Sequence, residues 1–385
     1  MLTKSVMGIK ETPIMEVANF GREFAKKTGK EVFPAWFGEG NKPTKEIIFK
    51  ETIKSLKQGK TFYTYQNGLP KIREAISNYM NDVFKIRTFP ENQSLVTGGM
   101  LGIKIICDML IEKDDEVVIV GPVWPNIRSS VILKQGKINE VDLKLEDKWK
   151  LDINKLFSSI TENTKMVFIN SPSNPTGWML SEEEQEEILS YTRKKGCWLV
   201  SDEVYHQIVY DIEVSSSFLK FSKPDDKLIV INSSSKSFNM TGWRVGWLTH
   251  PSFLESHIAK LVQISTTGVP EFLQEGFYSA LVNYKSIVSE VKEELTKSRN
   301  YVFDRTKNWK RIQLPFTNAA FYCFFKVNEM TDSVNYAKYL IEKTQVGLAP
   351  GIAFGNSGEG HLRLCFASDL DFLKNVLSRL EKELS

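Results

Sequence analysis

The 385-residue sequence is poor in cysteine and histidine, with four of each, and neither set carries a pattern. Cys107, Cys197, Cys323 and Cys365 lie far apart with no paired spacing, which gives no sign of a disulfide framework. At least three fall in apolar runs, where a thiol behaves as a small hydrophobe, so reduced core cysteines in a cytoplasmic protein are expected. The scattered histidines offer no ligand spacing, and no metal is expected. No apolar run approaches the length of a membrane span, and Met1-Leu-Thr-Lys-Ser-Val-Met-Gly-Ile-Lys lacks an apolar signal core. An excess of one charge is missing too. The 50 Lys and Arg against 47 Asp and Glu leave only +3, spread along the chain, which argues against a nucleic-acid or membrane surface. There is no internal repeat, linker or low-complexity tract. What remains is ordinary: 42% hydrophobic and 25% charged residues exclude disorder and fibre, and the length suffices for two domains without covalent staples.

One stretch carries chemistry. The apolar run Leu228 to Ile231 predicts a buried strand, and Asn232-Ser-Ser-Ser-Lys236-Ser-Phe-Asn-Met-Thr-Gly-Trp-Arg244 follows it as a hydroxyl-rich loop with one amine. The serines offer hydroxyl donors and Arg244 a planar fork suited to phosphate, while burial near other cations would lower the pKa of Lys236 and activate it. An amine of that kind can form a Schiff base. Ser-x-Ser-Lys with a Gly-Trp-Arg whose arginine lies eight residues after the lysine resembles the signature of class I pyridoxal-phosphate (PLP) aminotransferases of fold type I, aspartate/aromatic aminotransferase-like. The resemblance implies PLP held on Lys236 as a Schiff base, with Ser233 and Arg244 on its phosphate.

Further segments stand in the same order as in that family, from about residue 30 to 368. Gly38-Glu-Gly-Asn follows a short strand-like run and reads equally as a turn; the resemblance puts a backbone group near Gly38 on the substrate's α-carboxylate. Tyr63-Thr-Tyr-Gln-Asn-Gly-Leu-Pro70 reads as a turn into a helix with Pro70 in its first turn. By resemblance Tyr63 reaches across a homodimer interface to the neighbour's phosphate. Thr97-Gly98-Gly99-Met100 stands at a helix N-terminus, where free N–H groups and the helix dipole favour an anion, so the N–H groups of Gly99 and Met100 are expected phosphate donors. Trp124 ends a buried strand and matches the ring that stacks on the cofactor. Asn174-Pro-Thr-Gly follows another strand, and its asparagine corresponds to a partner of the cofactor's 3′-oxygen. Asp202-Glu-Val-Tyr205 closes a third apolar strand, and ligands of open α/β sheets gather at such carboxyl ends; the resemblance gives Asp202 to the pyridine nitrogen and Tyr205 to the 3′-oxygen. Arg363 interrupts the apolar run His361 to Ala367, where an unpaired guanidinium is expensive to bury. An incoming α-carboxylate would satisfy it, as the family's arginine does.

The alternation of strands and helices predicts an α/β fold, a large domain with a mostly parallel sheet sandwiched by helices, plus a smaller α+β domain from both chain ends. The expected division is an arm (1–12), a small domain (13–46 and 286–385) and a large PLP-binding domain (47–285). Asn318 to Phe325 reads as a strand of the small domain. The implied activity is transamination between an L-amino acid and a 2-oxo acid. The same residues serve carbon–sulfur lyases and aminocyclopropane-carboxylate synthases, which a product test separates. A PLP-sensing regulator is disfavoured by the near-neutral charge and by the lack of a DNA-binding domain ahead of residue 13. Met100 stands where some aspartate aminotransferases place a lysine for the distal carboxylate, and no arginine occurs between Arg244 and Arg299. Trp36, Phe37 and Trp124 therefore lean the substrate toward apolar or aromatic side chains, unless Lys260 or an arm residue supplies the missing charge.

Overall fold

The computed structural model describes residues 2–385; Met1 of the expected arm lies outside the described residues. Seven strands form the larger sheet: β1 (Gln93–Val96), β2 (Glu116–Gly121), β3 (Lys137–Asp142), β4 (Thr164–Asn170), β5 (Trp198–Asp202), β6 (Leu228–Ser233) and β7 (Gly246–Thr249), in spatial order β1-β7-β6-β5-β4-β2-β3. The pairings among β3, β2, β4, β5 and β6 are parallel, and β7 runs antiparallel to both neighbours. Helices separate the parallel strands and cover both faces, as crossovers in a parallel sheet require. The strands accordingly read as continuous apolar runs. Val118, Val120, Val167, Ile169, Leu199 and Val230 enter one core, while Val117, Ile119, Met166, Phe168, Val200, Ile229 and Ile231 enter the other. Each such side chain contributes roughly 1.5–3 kcal/mol on full burial.

The helices follow local rules. Pro13–Thr28 starts on the Thr12 cap with proline in its first turn and stops at Gly29 in the left-handed region. Glu182–Lys195 starts with the expected capping box between Ser181 and Glu184 and ends at left-handed Gly196. The spacing of Val288, Val291 and Leu295 belongs to the long helix Tyr284–Thr306, whose buried face those residues form.

The smaller domain carries an antiparallel sheet of β8 (Ile312–Gln313), β9 (Tyr322–Val327), β10 (Ala349–Pro350) and β11 (His361–Cys365), ordered β8-β9-β11-β10. The strand expected from Asn318 begins only at Tyr322, because Ala320 takes a positive φ of 56° that breaks extended backbone. Phe33–Pro34 pairs in parallel with Val346–Gly347, and the Ala35 carbonyl accepts from the Cys365 N–H. These bonds hang the segment that leads to Gly38 on the edge of the smaller domain. All four cysteines are buried and free. Among the described residues no helix is long and apolar enough to cross a membrane, and no His, Cys, Asp and Glu cluster could hold a metal.

Candidate active site

Register builds the site. β4 and β5 end level, Asn170 opposite Asp202, and Asp202 lies opposite Ile231 two residues before the end of β6. The antiparallel β7 then sets Gly246 between Ser233 and Val96, which brings the start of the helix Gly98–Leu110 against the end of β6. A Cβ on Gly246 would stand 2.8 Å from the Gly99 nitrogen, so only glycine lets these backbones converge. The sequence reading placed Lys236 in a loop. It sits instead in a single helical turn, Ser234–Ser237, capped by the Ser233 hydroxyl, which accepts from the Ser235 N–H.

A cavity of about 370 Å³ opens where these ends meet the smaller domain. Gly38, Gly99, Met100, Trp124, Asn174, Asp202, Tyr205, Ser233, Lys236, Arg244 and Arg363 all line it, so eleven of the twelve predicted site residues come together. Tyr63 does not; it projects from the surface, 91% exposed. Of the loop serines, Ser234 turns away and donates to the Val245 carbonyl, whereas Ser233 and Ser235 face the cavity.

The charged groups are poised rather than paired. Lys236 donates to the Gly38 carbonyl at 2.7 Å. Burial pushes its ammonium down to about 8, with Arg363 adding to the drop and Cys365, Glu39 and Asp202 opposing it. Asp202 accepts from the Val204 N–H, and burial raises its carboxyl to about 7 against the pull of that N–H and of Lys236. Arg363 is buried without a carboxylate among the described ion pairs: it donates to Asn174 Oδ1 at 2.8 Å and to the Trp36 carbonyl, and its Nε has no partner. An unsatisfied buried donor of this kind calls for an anion. Its guanidinium lies over the rings of Tyr322 and Phe354, 4.5 and 4.8 Å from the centroids.

Residues that the sequence reading did not assign to the site also shape the cavity, among them Ile14, Ile103, Asn170, Ser235 and Tyr322. The Tyr205 and Tyr322 hydroxyls meet at 2.7 Å. Only Ser235 had a signal, as the second serine of Ser-x-Ser-Lys. Lys260 is not among the residues of its own chain that line the cavity, and Trp36 is largely a core ring packed against Gly21 and Gly347.

The residues fit PLP on the structure's own terms. The Gly98–Gly99 helix start with Ser233, Ser235 and Arg244 forms an anion cradle that a Cβ would fill, since one on Gly98 would stand 2.2 Å from Arg244 Nη2. A lysine with a lowered pKa and a buried carboxylate share the same cavity. A mostly parallel seven-stranded sheet with lysine, carboxylate and anion cradle at its carboxyl edge defines a PLP-dependent enzyme of fold type I. More particularly, the chain belongs to the family described as aminotransferase class I and II, which it matches over residues 34–380, and it is a transaminase. It is 31% identical to an aspartate aminotransferase of Pyrococcus horikoshii over 368 residues, 94% of each chain, and 30% identical to aromatic-amino-acid aminotransferase 2 of Thermococcus litoralis, covering 90% of each. Among solved structures it superposes on the alanine aminotransferase from Pyrococcus furiosus with a TM-score of 0.93, at 26% identity and 99% coverage of both chains.

Proposed function

We propose that this transaminase takes its amino group from an L-amino acid with an apolar or aromatic side chain and passes it to a 2-oxo acid. The names of its relatives, which include aspartate, aromatic and alanine enzymes, do not choose among substrates. The lining of the cavity carries the reading. Its cations are Lys236, Arg244 and Arg363, each suited to a group common to every amino donor or to the cofactor, and the wall left for a side chain is Ile14, Phe37, Met100, Ile103 and Trp124. A distal carboxylate placed there would lose its hydration without gaining a counter-charge, which is costly.

Bound PLP supplies the electron sink for the bond broken at the substrate α-carbon. In our reading the chain does the rest. Arg363 takes the α-carboxylate on its free Nε edge, beside Asn174 and the Gly38 backbone. Lys236 carries the cofactor and moves the proton from the α-carbon as general base and acid, a task served by an amine that burial pushes down to about 8. Asp202 keeps a proton on the ring nitrogen; Asn174 and Tyr205 serve the 3′-oxygen. Trp124 offers the ring a flat apolar face. Gly99, Met100, Ser233 and Arg244 hold the phosphate, and Tyr63 of a second copy completes that cradle in a cytoplasmic homodimer. The same reading assigns residues 13–46 and 286–385 to the small domain and 47–285 to the large one.

A panel of amino donors with pyruvate, an acceptor that has no distal carboxylate, tests the substrate. Phenylalanine, tyrosine or leucine is expected to exceed aspartate in kcat/KM by about tenfold or more, the scale of a modest pocket preference. A marked preference for aspartate would overturn the assignment.

A further inference from the structure

We infer that Tyr322 is a positioning residue that joins the two halves of this site: its hydroxyl holds Tyr205 as a donor toward the cofactor's 3′-oxygen, and its ring holds the arginine that takes the substrate carboxylate. The inference rests on the roles proposed above for Tyr205 and Arg363.

Tyr322 opens β9 opposite Cys365, on the strand pair that carries Arg363, and is 1% exposed. Four contacts converge on it. Its hydroxyl meets that of Tyr205 at 2.7 Å, with the rings edge to face at 5.8 Å. The guanidinium of Arg363 lies 4.5 Å above its ring. Its hydroxyl also crowds Gly38, where a Cβ would stand 2.3 Å away, and the Gly38 carbonyl in turn accepts from Lys236. Phenylalanine would fill the same space but would leave the buried Tyr205 hydroxyl without its partner. Here the hydroxyl is placed against the one other phenol that lines the same cavity.

The direction of the bond follows from the chemistry. Burial raises both phenols well above their ordinary range, so both stay neutral and one hydrogen lies between the two oxygens. If Tyr205 is to donate to an anionic 3′-oxygen, its own oxygen must accept from Tyr322. That accepted bond polarises Tyr205 and strengthens its donation. The other titratable and charged groups near the pair are Asp202 from β5, Lys236 from its helical turn, Glu39 from the segment after Gly38, and Arg363 and Cys365 from β11. None is altered in the test below.

The test titrates the absorbance of the bound cofactor in the holoenzyme between pH 5 and 10, for wild type, Tyr322→Phe, Tyr322→Leu and Tyr205→Phe. It also measures the affinity for 3-phenylpropanoate, a monocarboxylate that cannot react. Tyr322→Phe is expected to raise the apparent pKa of the chromophore by about half a unit, as loss of one neutral hydrogen bond behind the donor would. Tyr205→Phe should raise it further, and monocarboxylate affinity in Tyr322→Phe should stay within about twofold because the ring under Arg363 remains. Tyr322→Leu should show the same rise together with about tenfold weaker binding, the loss expected for a desolvated cation–ring contact. A Tyr322→Phe titration that coincides with wild type while Tyr205→Phe shifts would overturn the inference alone. Failure of Tyr205→Phe to shift would overturn the Tyr205 role and the inference with it.

Discussion

At the scale of single residues the candidate site holds groups displaced from their ordinary protonation. An exposed lysine is a cation throughout the physiological range, but burial in the cavity pushes Lys236 down to about 8, and Arg363 adds a like charge. In the role proposed for Lys236 the neutral amine is the nucleophile, so covalent capture of PLP by the apoprotein should accelerate as pH rises and level off above the pKa. Stopped-flow reconstitution between pH 6 and 9.5 is expected to show about a tenfold gain per unit below pH 8 and a plateau above it. A rate still climbing at pH 9.5 would mean an unperturbed lysine. The side chains legible in the sequence were those with a chemical oddity attached: a lysine among serines, an arginine inside an apolar strand, a carboxylate closing another. Tyr322 was not legible. It sits among Phe321, Phe324 and Phe325 in a run where one more buried aromatic is unremarked, and only the strand register aims its hydroxyl at Tyr205.

Elements fix what residues cannot. The anion cradle depends on where three backbones come together: the start of the helix Gly98–Leu110, the end of β6, and Arg244 just before β7. Gly98 has φ 76° and Arg244 φ 55°, both in the left-handed region, and the arginine's end occupies the space a Cβ on Gly98 would take. Gly98→Ala should therefore displace the Arg244 fork and strain the helix start while leaving the strands in register. The expected result is PLP affinity weakened by about ten- to a hundredfold, the worth of a charge-assisted hydrogen bond, with unchanged far-ultraviolet circular dichroism. An equilibrium titration of apoprotein gives the number, and wild-type affinity would show that Arg244 does not depend on the glycine. The sequence announced the glycines and the helix but not this dependence. Apolar runs foretold the parallel strands because both faces are buried, and Gly29 and Gly196 foretold the helix ends. The one-turn helix under Lys236 and the late start of β9 were missed, since four-residue elements carry no periodicity and a left-handed alanine leaves no mark in composition.

At the scale of the whole molecule, one predicted site residue stands apart from the others. Eleven of the twelve converge within one chain, while Tyr63 lies 91% exposed beside Phe62 at 81% and Tyr65 at 63%. Three aromatics so exposed in four residues form a face of the kind that ordinarily meets another protein surface. In the homodimer proposed above, each site would hold its own Lys236 and the other chain's Tyr63. That arrangement makes an unusual demand on mixtures. A Lys236→Ala protomer offers a dead lysine but an intact Tyr63, and a Tyr63→Leu protomer offers the reverse. If the tyrosine serves its neighbour, a mixed dimer holds one site with both defects and one fully wild-type site. Equal amounts of the two variants, unfolded and refolded together with PLP, should then recover wild-type turnover in about a quarter of all sites, because half of the dimers are mixed and each holds one intact site. Each variant refolded alone should stay at its own low rate. If Tyr63 served its own chain, the mixed dimer would hold one site lacking only the lysine and one lacking only the tyrosine, and the mixture would show no more than the average of the two variants.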